Sequence, residues 1–581
     1  MALRQNESGA KRRGPKSKLG KILVNLCITL VIGAVYFYVS LPALNLQSGD
    51  FYFFVGLLCM VYILCALVTS GSNLSAPVET APNGRAVNFN LKEYVTFIKQ
   101  QCLPIGLLLA LLLVVAVVGN VLSMPLFRAA AYRDLLEVQN GDFAADVDEI
   151  SFNEIPMLDK GSAAMLGDRQ MGNLPDMVSQ FEVSDVYTQI NYQGSPVRVA
   201  PLEYADLIKW FTNRGNGLPA YVVVNMVTQQ ANVVRLPDGE GIKYAMSEPL
   251  NRNILRHLRF QYPTFMFSTP VFEIDEEGRP WWIAPRVVKT IGLFGGADIR
   301  GAVLVDAITG GCTYYEEVPT WVDNVYTPEL IMQQYNYHGT FVNGFLNSIF
   351  GQRDVTVVTE GSNYIALNDD VYMYTGVTSV NSDQSNLGFL LSNQRTKETK
   401  FYTAPGATEN SAMASARGMV QDQGYTATFP LLLNISGEPT YFMALKDANS
   451  LVKMYAMVNV SQYQVAAVQP TVAATEQEYV RLLGDKGITA PEELPQTEVT
   501  GRITDIRSAV MEGNTYLFLC LDNGTVYYSV RAAQSPAAVL LNLGDTVTIE
   551  HAPASGEGDT ILEGYSIKLV RAAPRVTPGG E

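Results

Sequence analysis

Ser450-Leu-Val-Lys453 has the Ser-x-x-Lys spacing that places a lysine amine beside a nucleophilic serine in acylating enzymes. That chemistry needs the pair on one turn of a helix, whereas here it falls between two expected strands. Glu273, Asp275, Glu276 and Glu277 precede Gly278 and offer oxygen ligands for a hard cation. They lack EF-hand spacing, and a solvated hairpin turn accounts for them better; Asp369 and Asp370 read the same way. His257, His338 and His551 are the only histidines, and none has a second His or a Cys at metal-ligand spacing. No Gly-rich phosphate loop, Gly-x-Ser-x-Gly elbow or Cys-x-x-Cys motif follows the apolar N-terminal part. No cofactor and no catalytic residue is expected on these grounds.

Two groups are better suited to binding. Arg252, Arg256, His257 and Arg259 put a basic face on a short helix within an acidic region. Internal pairing with carboxylates is the plainer expectation, and a docking face for an acidic partner or lipid headgroups is the sharper one. Trp281 and Trp282 are adjacent in an expected strand, so they point to opposite faces and one must leave the main core. Packing between neighbouring units is favoured over a ligand surface.

The elements that position these residues begin with a membrane anchor. Ile22 to Gln47, Phe51 to Asn73 and Gln100 to Phe127 contain no charged residue. Each exceeds the roughly 20 residues that cross a bilayer core as a helix. Spans are expected at about 22–44, 51–70 and 103–124. A cleaved signal peptide does not fit, because the first stretch is too long and a second follows at once. Arg12 and Arg13 form a twin arginine, but Gly14 and Pro15 replace the apolar pair expected after it. Arg4, Lys11, Arg12, Arg13, Lys16, Lys18 and Lys21 precede the first span, and Arg85, Lys92 and Lys99 follow the second. Positive residues are retained in the cytoplasm, so the N-terminus is expected inside and the bulk after residue 125 outside. Asn25, Thr29 and Asn120 are the polar span residues available for bonds between helices.

Charge divides the same way. Of 41 Lys/Arg and 56 Asp/Glu, residues 1–124 hold ten and four, leaving 31 and 52 for the rest. A region that acidic repels nucleic-acid phosphates. Six cysteines, of which only Cys312 and Cys520 lie in the large portion, are too few and too far apart for a disulfide-built scaffold.

Beyond the anchor, Gly194-Ser-Pro196, Gly217-Leu-Pro219, Gly278-Arg-Pro280 and Gly437-Glu-Pro439 each lead into an apolar run, as turns feeding strands do. Asn368-Asp-Asp370 before Val371 is a further copy. Helices are expected over Pro201–Arg214 (burying Tyr204, Leu207, Ile208 and Phe211), Pro249–Phe260, Pro328–Phe350 and Thr408–Gln423. The fold class is α+β: three N-terminal transmembrane helices, repeated helix-plus-antiparallel-hairpin units, and a small five-stranded β-barrel. The domains are a basic tail over 1–21, the transmembrane region over 22–124 and a juxtamembrane stalk over 125–184. Two α+β regions follow over 185–325 and 326–470, then a helix and linker over 471–496, a barrel over 497–573 and a tail over 574–581.

Gly278-Arg-Pro280-Trp281-Trp282 with Val303-Leu-Val-Asp306, and Ala412 to Tyr425 leading to Gly437-Glu-Pro439, resemble PepSY domains, small extracytoplasmic helix-plus-hairpin modules. The resemblance implies binding or inhibitory roles at a bacterial cell envelope. Thr500–Ile506, Thr515–Leu521, Thr525–Ser529, Asp545–Ile549 and Ile561–Leu569 resemble the strands of an OB-fold. Many such barrels bind single strands through basic grooves and aromatics such as Tyr516, Phe518, Tyr527 and Tyr528. This one carries nine acidic residues against Arg502, Arg507, Arg531, Lys568 and Arg571, so no nucleic acid is expected. The leading expectation is a non-enzymatic, membrane-anchored binding or scaffold protein. Its partners are the lipid bilayer and a protein, peptide or cell-wall ligand, with homo-oligomerisation open. The alternatives are an envelope hydrolase with a site assembled from distant residues, a component of a membrane complex, and nucleic-acid binding through the barrel.

Overall fold

A computed structural model describes residues 18–71, 91–147, 155–367, 369–380, 385–488, 497–511, 514–522, 524–532, 536–551 and 561–571. Arg4 to Lys16, Arg85, Asn368, the Pro491–Gln496 linker and the 574–581 tail lie outside those residues. The chain divides into two compact units, Met1–Leu482 and Leu483–Glu581.

Three helices open the first unit: α1 (Lys18–Ser40), α2 (Gly49–Gly71) and α3 (Leu91–Ser123). Within them Leu19–Ser40, Gly49–Thr69 and Ile98–Ser123 are long and apolar enough to cross a membrane. Span one ends four residues earlier than its composition suggests. Leu41 takes a positive φ of 51° ahead of Pro42, and a residue before proline is disfavoured in the helical region. Asn25 joins two spans by accepting from Thr69 Oγ1 at 3.1 Å, whereas Thr29 and Asn120 bond to carbonyls of their own helices.

Four sheets follow, and they share one plan. In each, two short strands pair with the same long strand, which pairs with a second long strand, which pairs with a last. The long strand is Ser195–Tyr204 in the first sheet, Pro280–Ile291 in the second, Asp370–Ser379 in the third and Glu438–Lys446 in the fourth. A helix precedes each sheet in turn: Lys160–Gly172, Ile254–Gln261, Pro328–Thr340 and Glu409–Met419. The turn into the long strand is the recurring signature. Gln193-Gly194 and Ser436-Gly437 are two-residue loops with φ of 52° and 73°, and of 54° and 75°. Two successive positive φ values define the type I′ turn, whose twist matches a hairpin and which favours glycine. Gly217-Leu-Pro219 does not belong to this series. It precedes the second long strand of the first sheet, Ala220–Asn225.

The sheets pack on one another. One apolar core runs through the first and second sheets, taking in Leu202 and Val222 from one and Phe272, Trp282 and Val303 from the other. On the opposite face of the second sheet, Ile283 and Leu304 pack with Val322 and Val325.

Several expectations are corrected. The described residues 125–147 and 155–184 are not a stalk: Gln139–Gly141 adds in parallel to the Thr399–Ala407 strand, and the Lys160–Gly172 helix and Phe181–Val183 strand belong to the first repeat. The Pro201–Arg214 helix begins only at Leu207, because Ser195–Tyr204 is one continuous strand. Tyr204 is buried, but Leu207, Ile208 and Phe211 are exposed by 70%, 73% and 60%, opposite to the expected burial. The Pro249–Phe260 helix starts after Asn253, which caps it and leaves Leu250 exposed. The Pro328–Phe350 helix stops at Thr340; Ile331 and Tyr335 are buried, while Ile349 is exposed. Thr408 caps Glu409–Met419, and Ala412 and Ala416 are fully buried on the small-residue face. All six cysteines are free.

The second unit is a closed five-stranded barrel. Thr497–Met511 pairs with Asn514–Leu521, which pairs with Tyr527–Arg531. Ile561–Arg571 runs parallel to that strand and antiparallel to Thr546–His551, which closes on Thr497–Met511. Leu519, Val530, Val547 and Ile549 fill its interior.

Candidate functional site

Arg198 lies in the middle of the long strand of the first sheet, between Val197 and Val199. Its side chain is 95% removed from solvent by the packing of the sheets, with 5% exposure. Taking a guanidinium out of water is costly unless a carboxylate and a full set of acceptors compensate. Arg198 has neither. Nη2 donates to Gln189 Oε1 at 3.1 Å, the Tyr364 ring centroid lies 6.0 Å away, and Nε has no protein acceptor. Among the described residues it forms no ion pair. Burial lowers its affinity for the proton, and the Asp159 carboxylate acts against that only at a distance. Asp159 itself is held by Lys446 at 2.6 Å and caps the Lys160–Gly172 helix through Ser162 N.

Arg198 lines a cleft of about 680 Å³, within the range of small-molecule sites. The first repeat contributes Tyr187, Gln189 and Arg198, the second Val271 and Pro285, and the third Tyr364 and Gln394. Four residues on this lining each carry a buried polar atom with no protein partner: Gln189 Nε2, Arg198 Nε, Gln394 Oε1 and Tyr187 Oη, the last packed against Gly167. Buried polar atoms are nearly always paired, so four on one lining mark it off from the packed core. Burial raises the Tyr187 hydroxyl well above its ordinary value, with Asp168 and Asp185 adding to the effect, so it stays a donor. A cavity of about 20 Å³ shares Gln189 and Tyr364 with the cleft.

Behind the cleft wall lies a buried acid pair. Glu273, fully buried, accepts from Asp323 N at 3.0 Å and from Asn324 N and Nδ2 at 2.9 Å. Asn324 also donates to Gln189 O at 2.8 Å, and Asp323 accepts from Asn191 N at 2.7 Å. Burial raises both carboxyls, and at Asp323 the neighbouring Glu273 charge raises it further.

The basic face expected on the Ile254–Gln261 helix has a different use. Arg256 Nε donates to Tyr38 O at 3.1 Å and Arg259 Nε to Leu41 O at 2.9 Å, both at the end of α1. Arg259 Nη1 also reaches Phe265 O at 2.5 Å, and Arg252 Nη1 donates to Arg214 O at 2.8 Å. His257 Nε2 lies 2.8 Å from Gly310 O, with its ring against Tyr244. These side chains meet carbonyls rather than the carboxylates expected. Trp282 is fully buried and donates to Tyr244 O, so it lines no surface; it packs on Phe272 in the core shared by two repeats. Trp281 leaves by the other face, bonds Asp275 and meets Trp321 at 5.8 Å. The structure therefore does not gather these six residues into one patch.

Of the motifs weighed for chemistry, Ser450 sits in a tight turn with φ of 61°, and Lys453 lies 3.7 Å from Asp447. Asp275 is tied up in its hairpin, accepting from Arg279 N and Trp281 Nε1. His338 Nδ1 lies 3.2 Å from Arg133 O. The cleft was missed because Val197-Arg198-Val199 reads as an ordinary strand. Its one signal is a lone charge among valines.

No protein-family model matches the chain, and no curated protein matches it. Among the solved structures similar to it, two cover about a quarter of the chain. The tetrameric p202 HIN2 structure is 11% identical with a TM-score of 0.11, covering 25% of this chain and 87% of its own. A murine DNA binding protein bound with ds DNA is 9% identical with a TM-score of 0.11, covering 26% of this chain and 94% of its own. At that TM-score neither carries an argument about fold or ligand.

Proposed function

We propose that the chain is a non-enzymatic, membrane-anchored binding or scaffold protein of the cell envelope, with its large portion extracytoplasmic and its ligand seated in the Arg198 cleft. The cleft carries this reading. Three repeats converge on it, its lining presents unpaired hydrogen-bonding atoms, and that lining includes no histidine or cysteine. Such a lining supports recognition of a ligand.

The finer assignments belong to the same reading. Four copies of one helix-plus-sheet plan support the likeness to PepSY modules, and the strand order of the second unit supports an OB-like barrel. Acidic excess in that barrel argues against nucleic acid. Sidedness rests on the positive residues before the first span and on Arg85, Lys92 and Lys99 between the second and third. The test is protease added to spheroplasts. Digestion of the region after residue 125 in intact spheroplasts is expected; protection until lysis overturns the extracytoplasmic assignment.

A further inference from the structure

The geometry points to a specific ligand group: we infer that the cleft binds the C-terminal residue of a peptide, with its carboxylate on Arg198. This rests on the cleft being the binding site and names the chemistry it selects.

A buried guanidinium with one neutral acceptor and a free Nε lacks an anion, and a carboxylate matches the planar fork that it presents. Gln189 Nε2 is a further donor without a protein acceptor on a lining residue, whereas the Tyr187 hydroxyl packs against Gly167. One orphan has the opposite character: Gln394 Oε1 is an acceptor, while Gln394 Nε2 already donates to Tyr326 O at 3.0 Å. A ligand that complements Arg198 and these two glutamines carries an anion and an N–H together, as the last residue of a peptide does. The walls formed by Val271, Pro285 and Val325 suit an apolar side chain. Asp185, Glu329 and Lys160 also line the cleft, so its formal charges with Arg198 cancel, and the two carboxylates disfavour a doubly charged group, which sets a carboxylate ahead of a phosphate.

The test titrates full-length protein in lipid nanodiscs with N-acetyl-Leu-Ala, with its C-terminal amide and with inorganic phosphate. The free acid is expected to bind about tenfold or more tightly than the amide, the scale of one charge-assisted contact. Phosphate at equal concentration should not displace it. Arg198→Met should abolish the acid-over-amide preference. Arg198→Lys, which keeps the charge and loses the planar fork, should weaken the acid several-fold and leave the amide unchanged, which keeps the test decisive if Arg198→Met fails to fold. Equal binding of acid and amide, a preference that survives Arg198→Met, displacement by phosphate, or no acid binding up to about 10 mM overturns the inference.

Thr269→Trp separates this inference from the broader reading, because Thr269 is an exposed lining residue. If charge-blind binding is blocked by Thr269→Trp, the cleft stands as the site and only the carboxylate falls. If Thr269→Trp leaves binding untouched, both fall.

Discussion

The guanidinium of Arg256 lies 4.3 Å from the centroid of the Tyr38 ring while its Nε donates to the Tyr38 carbonyl. One side chain of the second repeat thus grips both the ring and the backbone at the end of α1. Nearby, Tyr38 Oη donates to Asn251, Leu44 N donates to Pro263 O, and the Phe37 ring meets Phe260 edge-on. The four-sheet body is therefore fastened to the first span by contacts, not merely connected to the anchor through residues 124–160.

Arg259 is the deeper of the two fasteners, and its hydrogen bonds go to backbone carbonyls, with the Phe267 ring 5.9 Å from its head. Arg259→Met should cost about 2 kcal/mol, as loss of charged hydrogen bonds offset by removal of a buried cation. Thermal melting of the full chain should show the drop. Protease should also cut more readily between α1 and α2, and unchanged cutting there would count against the fastening.

The Glu273–Asp323 pair makes stability depend on pH. Both folded carboxyls sit above the unfolded range of about 4, so the folded chain keeps a proton that the unfolded chain releases. Their contribution is most favourable at acid pH and is lost as pH rises from about 4 through the raised values. Asp323→Asn, which keeps an acceptor for Asn191 N, should gain melting temperature relative to wild type as pH increases from 5 to 8. A constant difference between the two proteins across that range would contradict the pairing.

Arg395 clamps Asp370 with two bonds of 2.7 Å, Nε to Oδ1 and Nη2 to Oδ2, and Asn393 adds a third at 2.8 Å. Asp370 opens the long strand of the third sheet. Arg395→Met strands a largely buried carboxylate and should cost about 3 kcal/mol. Adding Asp370→Asn should restore part of that loss in a double-mutant cycle read by denaturant unfolding.

Gly301 interrupts the register between the two long strands of the second sheet at φ of 67°, and a Cβ there would fall 2.0 Å from Tyr315 O. Gly301→Ala should destabilise by at least about 1 kcal/mol, because both the backbone angle and the space oppose it. Circular dichroism melting is sufficient to check this.

The spans, the turns at Gly194 and Gly437, and the barrel strands were legible because each is decided within a few neighbouring residues. Partition into lipid depends on a local run of apolar side chains, and a turn on the φ that glycine permits. The helix over Pro201–Arg214 failed because helical spacing of Tyr204, Leu207, Ile208 and Phe211 is a pattern that strand pairing overrode. By itself the amino-acid order determined the anchor, the charge division and the alternation of helices with hairpins. Only the tertiary structure decided that Arg198 is buried without a counter-ion, that Trp282 serves a core shared by two repeats, and that Arg256 and Arg259 hold the end of α1. Burial and pairing depend on which residues from distant segments arrive at one place, and no local stretch of chain contains that information.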